Sequence, residues 1–346
     1  MSSEIPLLPT LLPKGYSVRP VTLADAEAVA DLMNACSFEL TGKGGADAGE
    51  IRSDWQLPHM NLATDTLAVL APDGALVGAA ELWDGEPYVR NYVFAEVHPR
   101  HQGLGIGTAI ARWAEGRGRQ LVPQAPAEAR VVLWQFKLSA DEAAGRLLRQ
   151  QGYELTRHNL RMVIDFAAPP PEPAVPAGLT IRPFRRGQEE RALVMAVREE
   201  FRDQWGNVEK PFDEDYQEWL HWMDTSPTCD TSLFFVAVDG EEIAGTGLCK
   251  AAFAEDPEMG WIFALGVRRP WRRRGLALAL LQHCFGALYG RGKRRVGLGV
   301  DAQSLTGATR LYEKAGMHAD RQHQYSCYEK ELRAGKELST QAVAEV

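Results

Sequence analysis

Apolar residues along this chain form short continuous runs that alternate with runs at helical spacing. The run from Ile262 to Val267 is almost wholly apolar and predicts a buried strand. A basic turn containing a proline follows, from Arg268 to Arg274. The apolar positions after this turn are spaced as on one buried helical face, at Leu276, Leu280, Leu281, Cys284 and Leu288. This stretch therefore predicts a strand, a basic turn and a helix in direct succession.

A similar pattern occurs in both halves of the chain. Tyr16 to Pro20 is similar to Leu179 to Pro183, and a charged helix is predicted after each. Each half then has two strand-like runs joined by a turn with glycine, at Thr66 to Ala71 and Leu76 to Trp83, and at Leu233 to Val238 and Glu242 to Cys249. The repeat indicates a duplicated domain, because solenoid repeats are only about 20–50 residues long.

The middle of the chain contains a proline-rich stretch, Ala167 to Ala177, which predicts a semi-rigid linker. A strand at Leu160 to Phe166 is predicted to end the first half. The predicted organisation is a first domain over residues 1–166, a linker over 167–178 and a second domain over 179–346.

Composition limits the possible partners. Of the 346 residues, 45% are hydrophobic and 24% are charged, as in ordinary globular chains. The formal net charge of -8 argues against nucleic-acid binding, so the basic turn is expected to serve a small anionic ligand. Five scattered cysteines without metal-ligand spacing predict free thiols in a reducing cytoplasm and no metal site. Met1 to Gly15 lacks the basic start of a signal peptide, and no membrane partner is expected.

The basic turn contains the pattern Arg272-x-x-Gly275-x-Ala277 where the strand meets the helix. A helix N-terminus has free N–H groups and a partial positive charge, so it can bind a phosphate. Glycine at position 275 would let the backbone approach that phosphate, and the arginines would add charge. Taken alone, the pattern favours a basic loop without a ligand.

Two ordered patterns resemble the fingerprints of the GNAT acyltransferase superfamily, which binds acyl-coenzyme A. The first is Arg272 to Ala277, and the second is Ala308 to Gly316, which has the family form Ala-x-x-Leu-Tyr-x-x-x-Gly. In the first half, Gln102 to Gly107 has the loop fingerprint again. The resemblance implies an α/β fold of two tandem GNAT-like domains, each with a mixed, mostly antiparallel central sheet flanked by helices.

The resemblance also implies acetyl-CoA as cosubstrate. In the family, the pantetheine arm bonds to the strand before the loop as an added strand. The coenzyme-binding residues implied for the second half are Leu265, Gly266, Val267, Arg272, Arg273, Arg274, Gly275, Leu276, Ala277 and Ser304. Those implied for the first half are Val97, Gln102, Gly103, Leu104, Gly105, Ile106 and Gly107.

Tyr312 in the second fingerprint is implied to be the general acid that protonates the leaving thiolate, with a purely structural core position as the alternative. Many family members have an acid in the middle of the strand, whereas this chain has Ile262 to Ala264 there. Glu258 is therefore the expected base, acting through a water, and Asp256 and Asp301 are alternatives. Solvated turn charges without a catalytic role explain Glu258 and Asp256 equally well.

The two halves differ at the tyrosine. Alignment on Gly152 and Gly316 places Leu148 opposite Tyr312. We therefore expect catalysis in the second domain, by direct attack of an amine of an unknown small-molecule acceptor, and a degenerate first domain. The alternative is a coenzyme-binding or ligand-sensing module with little turnover.

Overall fold

The computed structural model describes residues 12–254 and 256–343. Most of the N-terminal segment that was analysed for a signal peptide lies outside these residues. The chain divides into two compact units. Unit 1 contains residues 12–158 and 322–338, and unit 2 contains residues 159–321 and 339–343. No helix in the described ranges has both the length and the apolar character that crossing a membrane requires.

The elements of the first half are β1 (Ser17–Arg19), α1 (Ala26–Thr41), α2 (Ala48–Asp54), α3 (Leu62–Asp65), β2 (Thr66–Leu70), β3 (Leu76–Trp83), β4 (Arg90–Val97), α4 (Ile106–Leu121), β5 (Val131–Leu138), α5 (Glu142–Gln150) and β6 (Glu154–Asp165). Those of the second half are β7 (Thr180–Pro183), α6 (Glu190–Phe201), α7 (Phe212–Thr225), β8 (Phe234–Asp239), β9 (Glu242–Lys250), β10 (Met259–Val267), α8 (Leu276–Gly290), β11 (Arg295–Asp301), α9 (Ala308–Lys314) and β12 (His318–Arg333).

The sheet of unit 1 has the strand order β1-β2-β3-β4-β5-β12. Its neighbouring strands are antiparallel, except for the parallel pair β4 and β5. Helix α4 buries Ile106, Ile110 and Trp113 in the core of this unit. This is the apolar face expected from their helical spacing.

The sheet of unit 2 has the order β6-β11-β10-β9-β8-β7, again antiparallel except for one parallel pair, β10 and β11. The apolar face predicted for α8 is buried as expected, at Leu276, Leu280, Leu281, Cys284 and Leu288. The prediction of mixed, mostly antiparallel sheets flanked by helices is confirmed for both units.

The last strand of each sheet comes from the other half of the sequence. Residues Asn159 to Asp165 of β6 pair with β11 in unit 2, although the sequence repeat assigned this segment to the first domain. Residues Tyr325 to Arg333 of β12 pair with β5 in unit 1. An apolar strand can satisfy its backbone groups in either sheet, so local periodicity does not reveal the exchange. The domain ranges deduced from the repeat stay a prediction.

Candidate active site

The parallel pair of strands in unit 2 separates part of the way along its length. The ladder joins Met259–Ile262 of β10 to Arg295–Leu298 of β11 and ends there. Strand β10 nevertheless continues to Val267, and β11 continues to Asp301. The facing edges of the two strands beyond the ladder therefore form an opening in the sheet.

The backbone of the second half of β10 is directed into this opening. The N–H of Arg268 donates to the carbonyl oxygen of Ala244, 3.0 Å away, on the β9 side. Backbone groups alternate along a strand, so those of Leu265 and Val267 point to the β11 side. A cavity of about 280 Å³ lies here, and its lining includes Leu265, Gly266 and Val267. An extended ligand could bond to β10 at this place as an added strand.

The turn after β10 leads into the N-terminus of α8. Gly275 is the N-cap of this 15-residue helix, with a φ of 88° that favours glycine. Arg273 also has a positive φ, 61°. Arg273, Arg274 and Gly275 are all exposed, whereas Leu276 is buried and Ala277 lines the cavity. Positive charge and free N–H groups thus meet at the surface of the turn, as a phosphate site requires.

Arg272, by contrast, is bonded within the protein. Its Nη1 donates to Oδ2 of Asp203 at 2.6 Å, and its Nε donates to the carbonyl oxygen of Val267 at 2.9 Å. Arg269 donates to both oxygens of the same carboxylate. These hydrogen bonds, that of Arg269 first, lower the pKa of Asp203 to about 2. The side chain of Arg272 therefore fixes the turn to the end of β10, and the exposed charge of the turn lies on its two neighbours.

Tyr312, in α9, lines the same cavity as the β10 backbone. Its side chain is 7% exposed, and burial raises its pKa to about 12. The phenol is consequently protonated at neutral pH and can act as a proton donor. The cavity lining also includes Ser304, whose hydroxyl is 3.2 Å from that of Thr306. The structure thus brings the predicted acid and several predicted coenzyme contacts to one place.

The carboxylates predicted as possible general bases differ in whether they line this cavity. Glu258 is exposed and immediately precedes β10, at the end of the strand remote from Val267. Within the described part of the chain, neither Glu258 nor the buried Asp256 is among the residues that line the cavity. Asp301 does line it, and its Oδ1 accepts from the N–H of Gln303 at 2.9 Å. The assignment of Glu258 as the base stays a prediction.

The cavity lining also includes residues that the sequence analysis did not predict, among them a buried glutamate. Glu200, near the end of α6, is 7% exposed and packs so closely against Gly266 that a Cβ there would overlap its carboxylate. Its Oε2 accepts from the hydroxyl of Thr246 at 2.5 Å. Burial raises the pKa of Glu200 to about 8. A glycine inside a strand signalled a close approach at position 266, but nothing in the sequence identified the helix residue that approaches it.

Unit 1 contains an opening of the same kind. The ladder of β4 and β5 ends at the pair Tyr92 and Trp134, although β4 continues to Val97. A cavity of about 460 Å³ lies there. Its lining includes five of the predicted coenzyme-binding residues, Val97, Gln102, Gly103, Gly105 and Gly107. The other two lie outside this lining, because Leu104 is largely exposed and Ile106 is buried in the core.

A lysine bridges the opening in unit 1. Lys137 of β5 donates through Nζ to the carbonyl oxygen of Ala95 on β4, and the same Nζ lies 2.9 Å from Oε1 of Glu96. Alignment of the two loop fingerprints makes Ala95 equivalent to Leu265, whose backbone faces the opening in unit 2. Leu148 lines the cavity of unit 1 in place of the phenol. Unit 1 therefore has a leucine where unit 2 has the phenol, and its backbone acceptor equivalent to that of Leu265 is already bonded.

Comparison with protein families agrees with this geometry. The acetyltransferase (GNAT) family matches residues 27–153 and 194–317, which together exceed half of the chain. The chain belongs to this family and consists of two tandem GNAT domains. It is an acetyl-CoA-dependent N-acetyltransferase, with acetyl-CoA as its cosubstrate.

Relatives of the whole chain include mycothiol acetyltransferases. The one from Streptomyces scabiei is 31% identical over 247 residues, which cover 70% of this chain and 72% of that protein. The one from Nocardiopsis dassonvillei is 29% identical over 347 residues, covering 90% and 93%. The crystal structure of a GCN5-related N-acetyltransferase from Sphaerobacter thermophilus has 40% identity and a TM-score of 0.75, over 95% of this chain and 99% of that one. A tandem GNAT protein from the clavulanic acid biosynthesis pathway shares the fold, with 15% identity and a TM-score of 0.64 over 93% and 100%.

Proposed function

We propose that the chain transfers the acetyl group of acetyl-CoA to an amine of a small-molecule acceptor, and that the reaction takes place in unit 2. The observation that carries this proposal is the position of Tyr312 in the cavity beside the β10 backbone at Leu265. Unit 1 has a comparable opening, but Leu148 has no proton to give to a leaving group. The presence of a proton donor thus distinguishes the two units.

The coenzyme would be held in unit 2 mainly by backbone groups. The backbone of Leu265 and the N–H of Val267, whose carbonyl oxygen already accepts from Arg272, would bond to the pantetheine arm as an added strand. The N–H groups that follow Gly275, together with Arg273 and Arg274, would hold the pyrophosphate. Bound in this way, acetyl-CoA supplies an acetyl group activated as a thioester.

Tyr312 would protonate the thiolate as it leaves. The side chain is 7% exposed, so bulk water has little access to the same position. The pKa of about 12 keeps the phenol protonated throughout the physiological range. General acids of this kind contribute roughly 10²–10⁴-fold to a rate. The coenzyme thiolate is itself a fair leaving group, so the lower end of that range is expected here.

For unit 1 we propose coenzyme binding that is weaker than in unit 2. Five of the predicted contacts, Val97, Gln102, Gly103, Gly105 and Gly107, line the larger cavity. A ligand that used the carbonyl of Ala95 would have to displace the ammonium group of Lys137, which donates to it. Loss of such a charge-assisted hydrogen bond would oppose binding.

The acceptor can be sought among small amines, and the panel should include the acetyl acceptor of the mycothiol acetyltransferases. The protein is incubated with acetyl-CoA and each amine, and both free coenzyme A thiol and the mass of the acetylated amine are measured. We expect acetylated product with the unmodified protein and with Tyr153→Phe, which removes a buried phenol of unit 1. Tyr312→Phe should be much slower. Acetyl-CoA binding without acetylation of any amine would contradict the proposal and favour a coenzyme-binding module with little turnover.

A further inference from the structure

Glu200 has an unused hydrogen-bond acceptor inside the cavity of unit 2. Its Oε2 is bonded to Thr246, whereas its Oε1 has no hydrogen-bond partner among the described residues. The side chain is only 7% exposed, and Gly266 provides the space into which its carboxylate fits. A buried oxygen without a partner lowers stability, so a purely structural role does not explain it. The free oxygen points to a partner that arrives with the substrate.

The positive groups nearest to Glu200 are bonded to other carboxylates. Arg268 donates to Glu199 at 2.6 Å, and Arg272 donates to Asp203 at 2.6 Å. Burial is therefore the dominant influence on Glu200 and raises its pKa to about 8, while the two arginines oppose this effect only in part. A carboxylate whose ionised form is disfavoured in this way is well matched to accepting a proton near neutral pH.

On the basis of the proposed function, we propose that Glu200 is the general base of acetyl transfer, with Oε1 receiving a proton from the attacking amine. The amine nitrogen forms a bond to the acetyl carbonyl carbon, and the bond between that carbon and sulfur breaks. Tyr312 gives its proton to the thiolate, and the proton held on Glu200 returns to Tyr312 through solvent. Both side chains line the cavity that contains the exposed backbone of Leu265.

The other carboxylates considered are less well placed for this step. Glu258 is exposed at the opposite end of β10 and lies outside the cavity lining of the described residues. Asp301 lines the cavity but already accepts a backbone hydrogen bond from Gln303. The geometry therefore favours Glu200, which combines burial, a position in the cavity and an unused oxygen.

The test compares Glu200→Gln with Glu199→Gln. Glutamine at position 200 keeps the size and an oxygen for Thr246 but cannot accept the proton. With a panel amine that the unmodified protein acetylates, kcat/KM should fall roughly 10²–10⁴-fold. The ionisation near pH 8 in its pH profile should disappear, while acetyl-CoA affinity stays nearly constant. Glu199 pairs with Arg268 and is half-exposed, so Glu199→Gln should retain both the rate and the ionisation.

The remaining outcomes separate the two proposals. Turnover by Glu200→Gln at the unmodified rate, or a loss confined to Glu258→Gln, would overturn the assignment of Glu200 and leave the proposed function intact. Failure of the unmodified protein to acetylate any amine would contradict both. If Glu200→Gln folds poorly in thermal melts, Glu200→Asp replaces it. If residue 200 is the base, Glu200→Asp should have a reduced kcat/KM and should keep the ionisation in its pH profile. Full activity of Glu200→Asp would contradict the base role.

Discussion

The two units contain the same opened pair of parallel strands but fill it with different side chains. In unit 1, Glu96 of β4 and Lys137 of β5 form an ion pair across the opening, with a distance of 2.9 Å. The position equivalent to Glu96 in unit 2 is Gly266, and the carboxylate against it comes from Glu200 on a helix. No lysine pairs with that carboxylate among the described residues.

This difference shows how one backbone arrangement supports two roles. A carboxylate paired with a lysine joins the two strands, whereas a buried carboxylate without such a partner gains basicity. Glu200 belongs to the second kind, since burial raises its pKa to about 8. The same contrast holds for Leu148 and Tyr312, which line the equivalent cavities. On the proposed function, the fold would provide the coenzyme cleft, and these few side chains would decide whether it can react.

The largest expected effect comes from Tyr312→Phe. Phenylalanine keeps the ring and its packing but removes the proton that the thiolate needs. We expect kcat to fall toward the lower end of the range of roughly 10²–10⁴-fold, with little change in acetyl-CoA affinity. Steady-state kinetics and calorimetric titration with acetyl-CoA check this, with Tyr153→Phe in unit 1 as the control. An unchanged kcat on a substrate whose chemical step limits the rate would make the tyrosine structural and remove the contrast between the units.

The same substitution can be made at the equivalent glycine of the loop fingerprint in each unit. Gly275 and Gly105 have φ values of 88° and 87°, which valine rarely adopts. Gly275→Val should weaken coenzyme binding in unit 2 by roughly tenfold or more, a loss of at least ~1.4 kcal/mol. Gly105→Val should leave turnover largely intact if the variant remains folded by circular dichroism. Loss of turnover in Gly105→Val, with Gly275→Val active, would reverse the assignment of the catalytic unit.

A smaller effect is expected from the contact between helix and strand in unit 2. Gly266→Ala places a methyl group where the carboxylate of Glu200 lies, and overpacking of this kind costs about 1–3 kcal/mol. The Cβ of Glu200 itself lies 2.6 Å from this methyl position, so only Glu200→Gly should relieve the clash, and the double variant with glycine at 200 should be more stable than additivity predicts. Urea unfolding of the four proteins measures the coupling. If the two changes in the free energy of unfolding are simply additive, the close contact with Glu200 is not the reason for a glycine at position 266.

The smallest effect concerns the dependence of stability on pH. The pKa of Glu200 is raised from 4.5 to about 8 in the folded protein, so the folded state binds this proton more tightly than the unfolded state. Its stabilising effect is present below pH 4.5 and is lost as the pH rises toward 8. Glu200→Gln should therefore lose less stability between pH 5 and pH 8 than the unmodified protein or Glu199→Gln. The free energy of unfolding of each protein is measured with urea at each pH. If it changes with pH in the same way for all three proteins, the pKa of Glu200 is not raised.

Several elements could be predicted because their signals are local. The strand Leu76–Trp83 has the bounds predicted from its apolar run, and α6 is the charged helix predicted after Pro183. The hairpin turns contain glycines with positive φ, at Gly74 and Gly240, as such turns require. The basic turn between strand and helix also lies where its contiguous pattern predicts it, and its binding of the coenzyme stays a prediction.

Other features depend on residues far apart in the sequence. The bond from Arg272 to Asp203 joins positions 69 residues apart and fixes the turn, while the contact of Arg272 with the coenzyme stays a prediction. A glycine inside a strand, such as Gly266, is typical of a bulge or of a close approach by another group. The irregularity in β10 lies between Ile262 and Ala264, and the group that approaches Gly266 is Glu200.

The sequence by itself determined the duplicated α/β architecture, the two coenzyme loops and the tyrosine that distinguishes the second unit, because hydrophobic periodicity, turn residues and contiguous fingerprints act over short distances. Only the tertiary structure decided which sheet receives the segment from Asn159 to Asp165 and which carboxylate faces the cavity. Strand pairing is satisfied by any correctly spaced edge, and the basicity of Glu200 arises from burial and from the absence of a paired cation among the described residues. Both properties belong to the packed surroundings of a residue, so no local pattern specifies them.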